Sequence, residues 1–442
     1  MDGQAGAWSA SRRQFGDGAG RISPVKALGV LALAIACFVI AQGTSIPLFF
    51  NLFYVLLALL VLAYGWAWAN LQGLAVNREI GTRRAQVGEE TRERLMITNR
   101  WPLPKLWVEV RDHSDMPHHS AGFVAYLPGR GRRRWTIRTP CTMRGKWTLG
   151  PVTLHSGDPF GIFRLERSGG GTSELIVYPA TIDLPAFRLP AAELQGGQDI
   201  RTRTFHVTPN VSTIRQYVTG DSFNRIHWRS TARTGELMVK EFELDPTADV
   251  WIVLDMHERS QQVAGIERTL FRDRRGHDIR VAESTEEYII SAAASVAQHL
   301  LNNNRNVGLI AWGQHREVLP PEREARQLYK ILESLAMLRA HGTHMLAEVL
   351  SAESTHFSRS STAVIITAAI NPLWVTGIQQ LLYRGIRAVV IFVDPESFDS
   401  PPGTAAIMER LAALRVQAYR VRQDQPLNEA LAEPEVAAVR GR

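Results

Sequence analysis

Hydrophobic and polar positions divide the chain into regions of different period. Residues 25–42, VKALGVLALAIACFVIAQ, carry one charge near their start, and residues 48–69 carry none. Both runs reach the length that a membrane-spanning helix requires. Only the uncharged residues 43–47 separate them, so 25–70 are predicted as a two-helix transmembrane hairpin whose backbone bonds close within each helix. Tyr54, Tyr64, Trp66 and Trp68 load the second run, most of them toward its far end, and these residue types gather at membrane–water boundaries. A signal peptide fits poorly, because GTSIP holds no convincing cleavage pattern and a second span follows at once. The other alternative is a pair of buried helices in a soluble core. Two uncharged runs of this length weigh against it.

From residue 77 to 179 the period falls to two. Segments such as RERLMITN, LWVEVRD, FVAYLP, RRRWTIRT, KWTLGPVTLH and ELIVYP alternate between apolar and polar, with turn signals at Trp101-Pro102, Pro128-Gly129, Arg144-Gly145 and Asp158-Pro159. This spacing predicts a β-rich, sandwich-like middle domain over 77–182. A Pro- and Gly-bearing linker and an unusual polar segment occupy 183–246.

Beyond it, short fully apolar runs alternate with helical periods. Strands are expected at 250–254, 307–312, 363–367, 388–393 and 416–421. Helices are expected at 286–301, 322–338, 343–350, 374–383 and 404–414. Strands buried on both faces and separated by helices make a doubly wound, mainly parallel sheet, so 247–425 read as an α/β domain. Ligands of such sheets sit at the carboxyl ends of strands, here at Asp255, Thr367 and Asp394. The polar stretch between Met256 and Glu283, with Arg268, Arg272, Arg274, Arg275 and Arg280, reads as a flexible insertion rather than a binding loop. Residues 1–24 are expected to be a disordered leader, and 426–442 a C-terminal tail.

Charge sharpens this layout. The 442 residues carry a net charge of +7, but residues 1–150 hold 19 basic against 9 acidic side chains and the remainder 31 against 34. The excess flanks the apolar runs: Arg12, Arg13, Arg21 and Lys26 before the first, and Arg78, Arg83, Arg84, Arg92 and Arg94 after the second. The loop between carries none, which places both termini on the cytoplasmic side of the cell membrane. Arg130, Arg132, Arg133, Arg134 and Arg138 form the densest cluster, beside Trp135. It reads either as a patch for anionic lipid or nucleic acid or as an edge strand that charge protects from aggregation. His113, His118 and His119 are read as a polar loop, without the cysteine partners or helical spacing of a metal centre.

Two cysteines, Cys37 and Cys141, support neither a disulfide framework nor a Cys-based zinc site. Phosphate loop, nucleophile elbow and zinc helix motifs are all missing from the sequence. The reading is therefore non-enzymatic, with no cofactor and no nucleic acid expected.

The most informative segment is 214–243, IRQYVTGDSFNRIHWRSTARTGELMVKEFE. Asp221 after Gly220 is suited to cap a helix, and Arg225, Arg229 and Arg233 fall four apart, one face of such a helix. After Gly235 the alternation of Leu237, Val239 and Glu241 predicts a strand. Arg215, Tyr217, Gly220, Asp221, Arg225, Ile226, Trp228, Ala232 and Arg233, then Gly235, Glu236, Leu237 and Lys240 to Phe242, resemble the hallmark run of the domain of unknown function 58 family. Ile226 follows Arg225 directly, where the family pattern has an intervening residue. Asp158-Pro159-Phe160-Gly161 and Tyr178-Pro179 look like that family's upstream landmarks.

The resemblance implies a membrane-anchored protein with a von Willebrand factor A-like C-terminal domain, working with MoxR-type AAA+ ATPases. Such a domain normally carries a metal-ion-dependent adhesion site, Asp-x-Ser-x-Ser. Here the run reads Asp255, Met256, His257, Glu258, Arg259. The site is degenerate, with Asp255 a weak metal candidate and Arg259 positioned to pair with it in a cation's place. Tyr217, Gly220, Asp221, Arg225, Trp228 and Arg233 then have two readings: a surface that docks a protein partner, or a clamp between domains.

Overall fold

The computed structural model describes residues 24–436 except 45, 120–121, 191–210, 218–225, 243–248, 263–267, 273–277, 282–283, 360 and 424. The expected leader and part of the expected C-terminal tail lie outside the described residues. Contacts divide the chain into two compact units. The first holds residues 1–182, 263–294 and 330–338; the second holds 183–262, 295–329 and 339–442.

The two apolar runs form α1 (Pro24–Thr44) and α2 (Pro47–Leu71), both long and apolar enough to cross a membrane. Their most apolar windows are only 17% and 11% buried by protein, unlike helices of a soluble core. Where they touch, Phe38 and Phe53 meet with ring centroids 5.1 Å apart. The end of α2 is different: Ala63, Ala67, Asn70 and Leu71 are buried.

Ten strands follow, from two-residue alternation: β1 (Leu74–Ile80), β2 (Arg84–Gln86), β3 (Glu90–Asn99), β4 (Lys105–Asp112), β5 (Phe123–Leu127), β6 (Arg132–Pro140), β7 (Gly145–Leu149), β8 (Val152–Gly157), β9 (Arg164–Gly169) and β10 (Ser173–Tyr178). They make three sheets, ordered β1-β3-β6, β2-β10-β7 and β5-β4-β8-β9. All pairs are antiparallel except β2 with β10. In β3 the odd positions Thr91, Glu93, Leu95 and Ile97 turn inward while Arg92 and Arg94 face out, as a half-buried strand requires. KWTLGPVTLH holds two strands, β7 ending at Leu149 and β8 opening at Val152, which belong to different sheets. Ala67 and Leu71 of α2 join Leu95, Ile97, Val108 and Val110 in one core.

The segment after the linker forms β11 (Val211–Gln216), α3 (Trp228–Thr234) and β12 (Met238–Phe242), with β11 antiparallel to β12. Next come β13 (Val250–Leu254), β14 (Arg268–Arg272), β15 (Asp278–Val281), α4 (Thr285–Asn302), β16 (Val307–Trp312), β17 (Arg316–Glu322), α5 (Ala325–Met337), α6 (Leu346–Ala352), β18 (Thr362–Thr367), α7 (Leu373–Tyr383), β19 (Arg387–Val393), α8 (Thr404–Ala413), β20 (Gln417–Val421) and α9 (Leu427–Ala430). Where a flexible insertion was expected, the described residues of 256–283 include the antiparallel pair β14 and β15.

Six strands make one sheet in the order β17-β16-β13-β18-β19-β20, parallel except for β17 at its edge. Every residue of β13 and β18 is buried. On one face Trp251, Val253, Ile365 and Phe392 pack against Leu350, Trp374, Ile378 and Leu411 of α6, α7 and α8.

Arg144 lies in the predicted turn, between β6 and β7, and its side chain is a core one of the first unit. Its guanidinium is fully buried and pairs with Glu286 and Glu287 at the start of α4. It also donates from Nε to the Leu335 carbonyl at 3.1 Å and from Nη2 to the Leu338 carbonyl at 2.8 Å, capping the end of α5. A positive charge suits that end of a helix. Removing one partner of a buried ion network strands the others without water. Arg144→Ala should therefore lower unfolding stability by about 3–5 kcal/mol, read as a drop in thermal midpoint of the full chain in detergent. An unchanged midpoint would contradict this role.

Candidate functional site

In the six-stranded sheet the chain runs from β13 outward to β16 and β17 on one side, then returns to β18, β19 and β20 on the other. Such a reversal opens a crevice at the carboxyl ends of the strands. A cavity of about 200 Å³ lies there, lined by residues that follow β13 (His257, Arg259, Ser260), β18 (Asn371, Trp374) and β19 (Ser400).

Asp255, just after β13, is 1% exposed. Thr367 Oγ1 donates to its Oδ2 at 2.7 Å and the His257 amide to its Oδ1 at 3.1 Å. Ser260 adds a side-chain hydrogen bond. Burial pushes the Asp255 carboxyl above the usual carboxylate range, and the bonds from Thr367, His257 and Ser260 offset part of that. Asp394, after β19, is bound by Arg420 Nε and Nη2 at 2.9 and 2.6 Å and by Thr404 Oγ1 at 2.6 Å.

This donor set does not fit a metal-ion-dependent adhesion site. Both Asp255 oxygens already accept hydrogen bonds, and the Thr367 hydroxyl also accepts from the Ala369 amide at 2.9 Å. A hard cation needs about six oxygens turned toward it; these are turned toward one another. The expected Arg259–Asp255 pairing is also corrected. Arg259 is exposed and lines the cavity, while hydroxyls and an amide hold Asp255. Ser260 escaped the sequence reading because the sought spacing put serines at 257 and 259. A 3₁₀ turn over Glu258–Ser260 brings in the next residue.

The structure resolves the signature segment in part. Gly220, Asp221 and Arg225 lie outside the described residues. Helix α3 begins only at Trp228, with His227 as its N-cap, Nδ1 accepting from the Ser230 amide at 3.3 Å. Asp221 therefore does not cap it, and Arg225 precedes it. Gly235, at φ 75°, ends the helix, a left-handed stop that glycine makes without strain. Tyr217 donates its amide to the Leu237 carbonyl at 2.8 Å and is half-buried. No residue of α3 is buried: Trp228 is 66% exposed, and Arg229 and Arg233 are exposed beside it.

The arginine cluster falls on β6, an edge strand, and on the turn before it. Register with β3 sets Arg138 opposite Arg92 and Arg134 opposite Met96. Arg132, Arg134 and Arg138 thus share an exposed face with Arg92 and Arg94, while Trp135 turns the other way and stacks on Phe123 at 4.2 Å. Arg130 and Arg133 are exposed as well.

His119 lies in a loop, as read, but its side chain is buried. Its Nε2 lies 2.9 Å from Asp112 and 3.4 Å from Glu93, and its Nδ1 2.9 Å from Thr139. Glu93, Asp112 and His119 have metal-like spacing, but the buried Arg78 guanidinium pairs with both carboxylates and takes the place a cation would need. Burial raises the Glu93 carboxyl despite Arg78 and His119. At Asp112 burial is outweighed by the His119 hydrogen bond and by the charges of Arg78 and His119, which hold the carboxyl below its usual range.

The raised Asp255 fixes the sign of one pH effect. The folded chain takes up this proton more readily than the unfolded one, so stability is full below about pH 4 and falls as pH rises through the folded value. Asp255→Asn should remove that part of the decline in an unfolding-midpoint series across pH. A decline of the same size in the variant would show that the charge is not the cause.

Among known proteins, residues 213–402 match the family described as "Protein of unknown function DUF58". The uncharacterized protein YeaD of Bacillus subtilis (strain 168) is 21% identical over 324 residues, 70% of this chain and 73% of that protein. Among solved structures, the CARDB domain of PF1109 from Pyrococcus furiosus aligns with 24% of this chain and 94% of its own, at 12% identity and a TM-score of 0.19. The C-terminal domain of wzt aligns with 27% of this chain and 84% of its own, at 11% identity and a TM-score of 0.19. Neither likeness carries an argument. The signature segment and the strands β13 to β19 lie inside the matched span, which is the part of this chain that resembles the DUF58 family.

Proposed function

We propose that this chain is a non-enzymatic scaffold of the cell membrane that docks a protein partner, a MoxR-type AAA+ ATPase, in envelope or complex assembly. The hairpin α1–α2 anchors it with both termini in the cytoplasm, an orientation supported by the basic flanks and the uncharged turn. The middle sheets are read as a β-sandwich. The C-terminal sheet is read as a von Willebrand factor A-like domain that has exchanged its metal site for the hydrogen-bonded set around Asp255.

The observation that carries the docking reading is Trp228. Its ring stands 66% exposed on a helix with no buried residue. Exposed tryptophan flanked by arginine has the composition of interface hot spots. Arg229 and Arg233 supply charges for carboxylates of a partner. Gly220, Asp221 and Arg225 belong to the same signature but lie outside the described residues.

Because Trp228 touches little, Trp228→Ala should shift stability by no more than about 0.5 kcal/mol and abolish capture of the ATPase by the full chain in membranes. A folded variant that captures the ATPase as well as the parent would contradict docking at this residue. An unfolded variant would favour the clamp.

A second reading rests on the five arginines that share one face of β3 and β6. Such a face would bind anionic phosphates, and its affinity would fall steeply with salt. Charge reversal at Arg134 and Arg138 should weaken low-salt binding to phosphatidylglycerol vesicles or to nucleic acid. Equal binding by parent and variant would exclude this role.

A further inference from the structure

We propose that the middle domain is itself wedged into the bilayer boundary. Two aromatic tips would insert, Phe160 in the β8–β9 loop and Trp107 in a bulge of β4, beside the point where α2 leaves the membrane. The proposal rests on the membrane reading of α1 and α2. It gives a role to the Asp158-Pro159-Phe160-Gly161 landmark that the docking surface leaves unexplained.

Both tips are built to point outward. Asp158 accepts the Phe160 amide at 2.9 Å and the Phe163 amide at 2.5 Å, which folds the loop back on itself. Ile162 turns into the core while Phe160 is left 66% exposed. In β4 the register with β5 shifts between Lys105 and Val108, and Trp107 takes φ 55°, the left-handed region. A bulge re-aims a side chain, and this one leaves Trp107 80% exposed. A bulky residue at positive φ is uncommon and marks a position worth explaining.

The same end of the sheet is tied to α2. Lys105 donates from Nζ to the Ala69 carbonyl, and Asn70 donates from Nδ2 to the Leu106 carbonyl at 3.1 Å. The Tyr64 and Phe163 rings meet edge to face at 5.5 Å. Gly161 passes close to the start of α1, with the Lys26 ammonium 3.8 Å from where a Cβ would stand.

Depth follows from these contacts. Tyr64 lies seven residues before the end of α2, about 10 Å of helix rise nearer the hairpin turn. From Pro47 to Tyr64 the helix rises about 25 Å, close to the roughly 30 Å thickness of the hydrocarbon core. Tyr64, Phe163 and the adjoining Phe160 therefore sit at the boundary layer, where aromatic rings are favoured. Lys26 brings positive charge to the same level for anionic headgroups.

The test uses the full chain in vesicles of phosphatidylcholine and phosphatidylglycerol containing nitroxide-labelled lipid. An environment-sensitive fluorophore is attached at Phe160→Cys or Trp107→Cys, with Tyr54→Cys in α2 and Lys146→Cys in β7 as references. Cys37 and Cys141 are buried, and burial pushes the Cys141 thiol up to about 11, so the native cysteines resist labelling. The proposal expects fluorescence lost at positions 160, 107 and 54 and retained at 146. Loss at 54 with full fluorescence at 160 and 107 overturns the wedge while leaving the hairpin in the membrane. No loss at 54 overturns the membrane reading and the wedge together. Equal loss at 146 shows general adsorption and overturns the wedge.

Discussion

The apolar surface of α1 and α2 needs a solvent that the rest of the chain does not supply. Leu28, Ile35, Val39, Leu48, Val55 and Leu62 all face outward, and the two helices cover only a small share of each other. In water that surface would drive association; in lipid it is at its favoured end state, with all backbone groups bonded inside the helices. Other features follow from this constraint. The end of α2 must pass into a β-sheet core without exposing its last carbonyls, and Lys105 reaches the Ala69 carbonyl. Gly73 then turns the chain at φ 71°, where any side chain would strike the Trp101 ring.

Both compact units bury charged groups beside their partners. The first holds its charges inside, with Arg78 set against Glu93 and Asp112, and Arg144 against Glu286 and Glu287. Such pairs add little net stability over an apolar core but make any single deletion severe. In the second, Asp394 pairs with Arg420, whereas Asp255 is held by hydroxyls and an amide. Burial raises its carboxyl above the usual carboxylate range, and perturbed groups concentrate at functional positions.

Legibility from sequence followed burial. Strands β13, β18 and β19 read as unbroken apolar runs because both faces of the parallel sheet are covered. Their predicted bounds fall within one residue of the observed ones. Strand β17 carries Pro320 and Pro321 and half-exposed positions, a pattern that only an edge allows, and it was not foreseen. The roles of Arg144, His119 and Ser260 were not foreseen, for a common reason. Each draws its role from partners far along the chain or from a turn whose length spacing does not reveal. The signature segment was recognised by its residue pattern, and the described helix within it begins at Trp228 with His227 as its cap.

A membrane anchor is the claim on which the scaffold reading and the boundary wedge both stand. Alkaline carbonate extraction of membranes from cells expressing the full chain tests it most directly. The account predicts that the chain stays in the membrane pellet, and that a chain lacking residues 24–71 is released to the supernatant if it folds. Release of the intact chain by carbonate would contradict it.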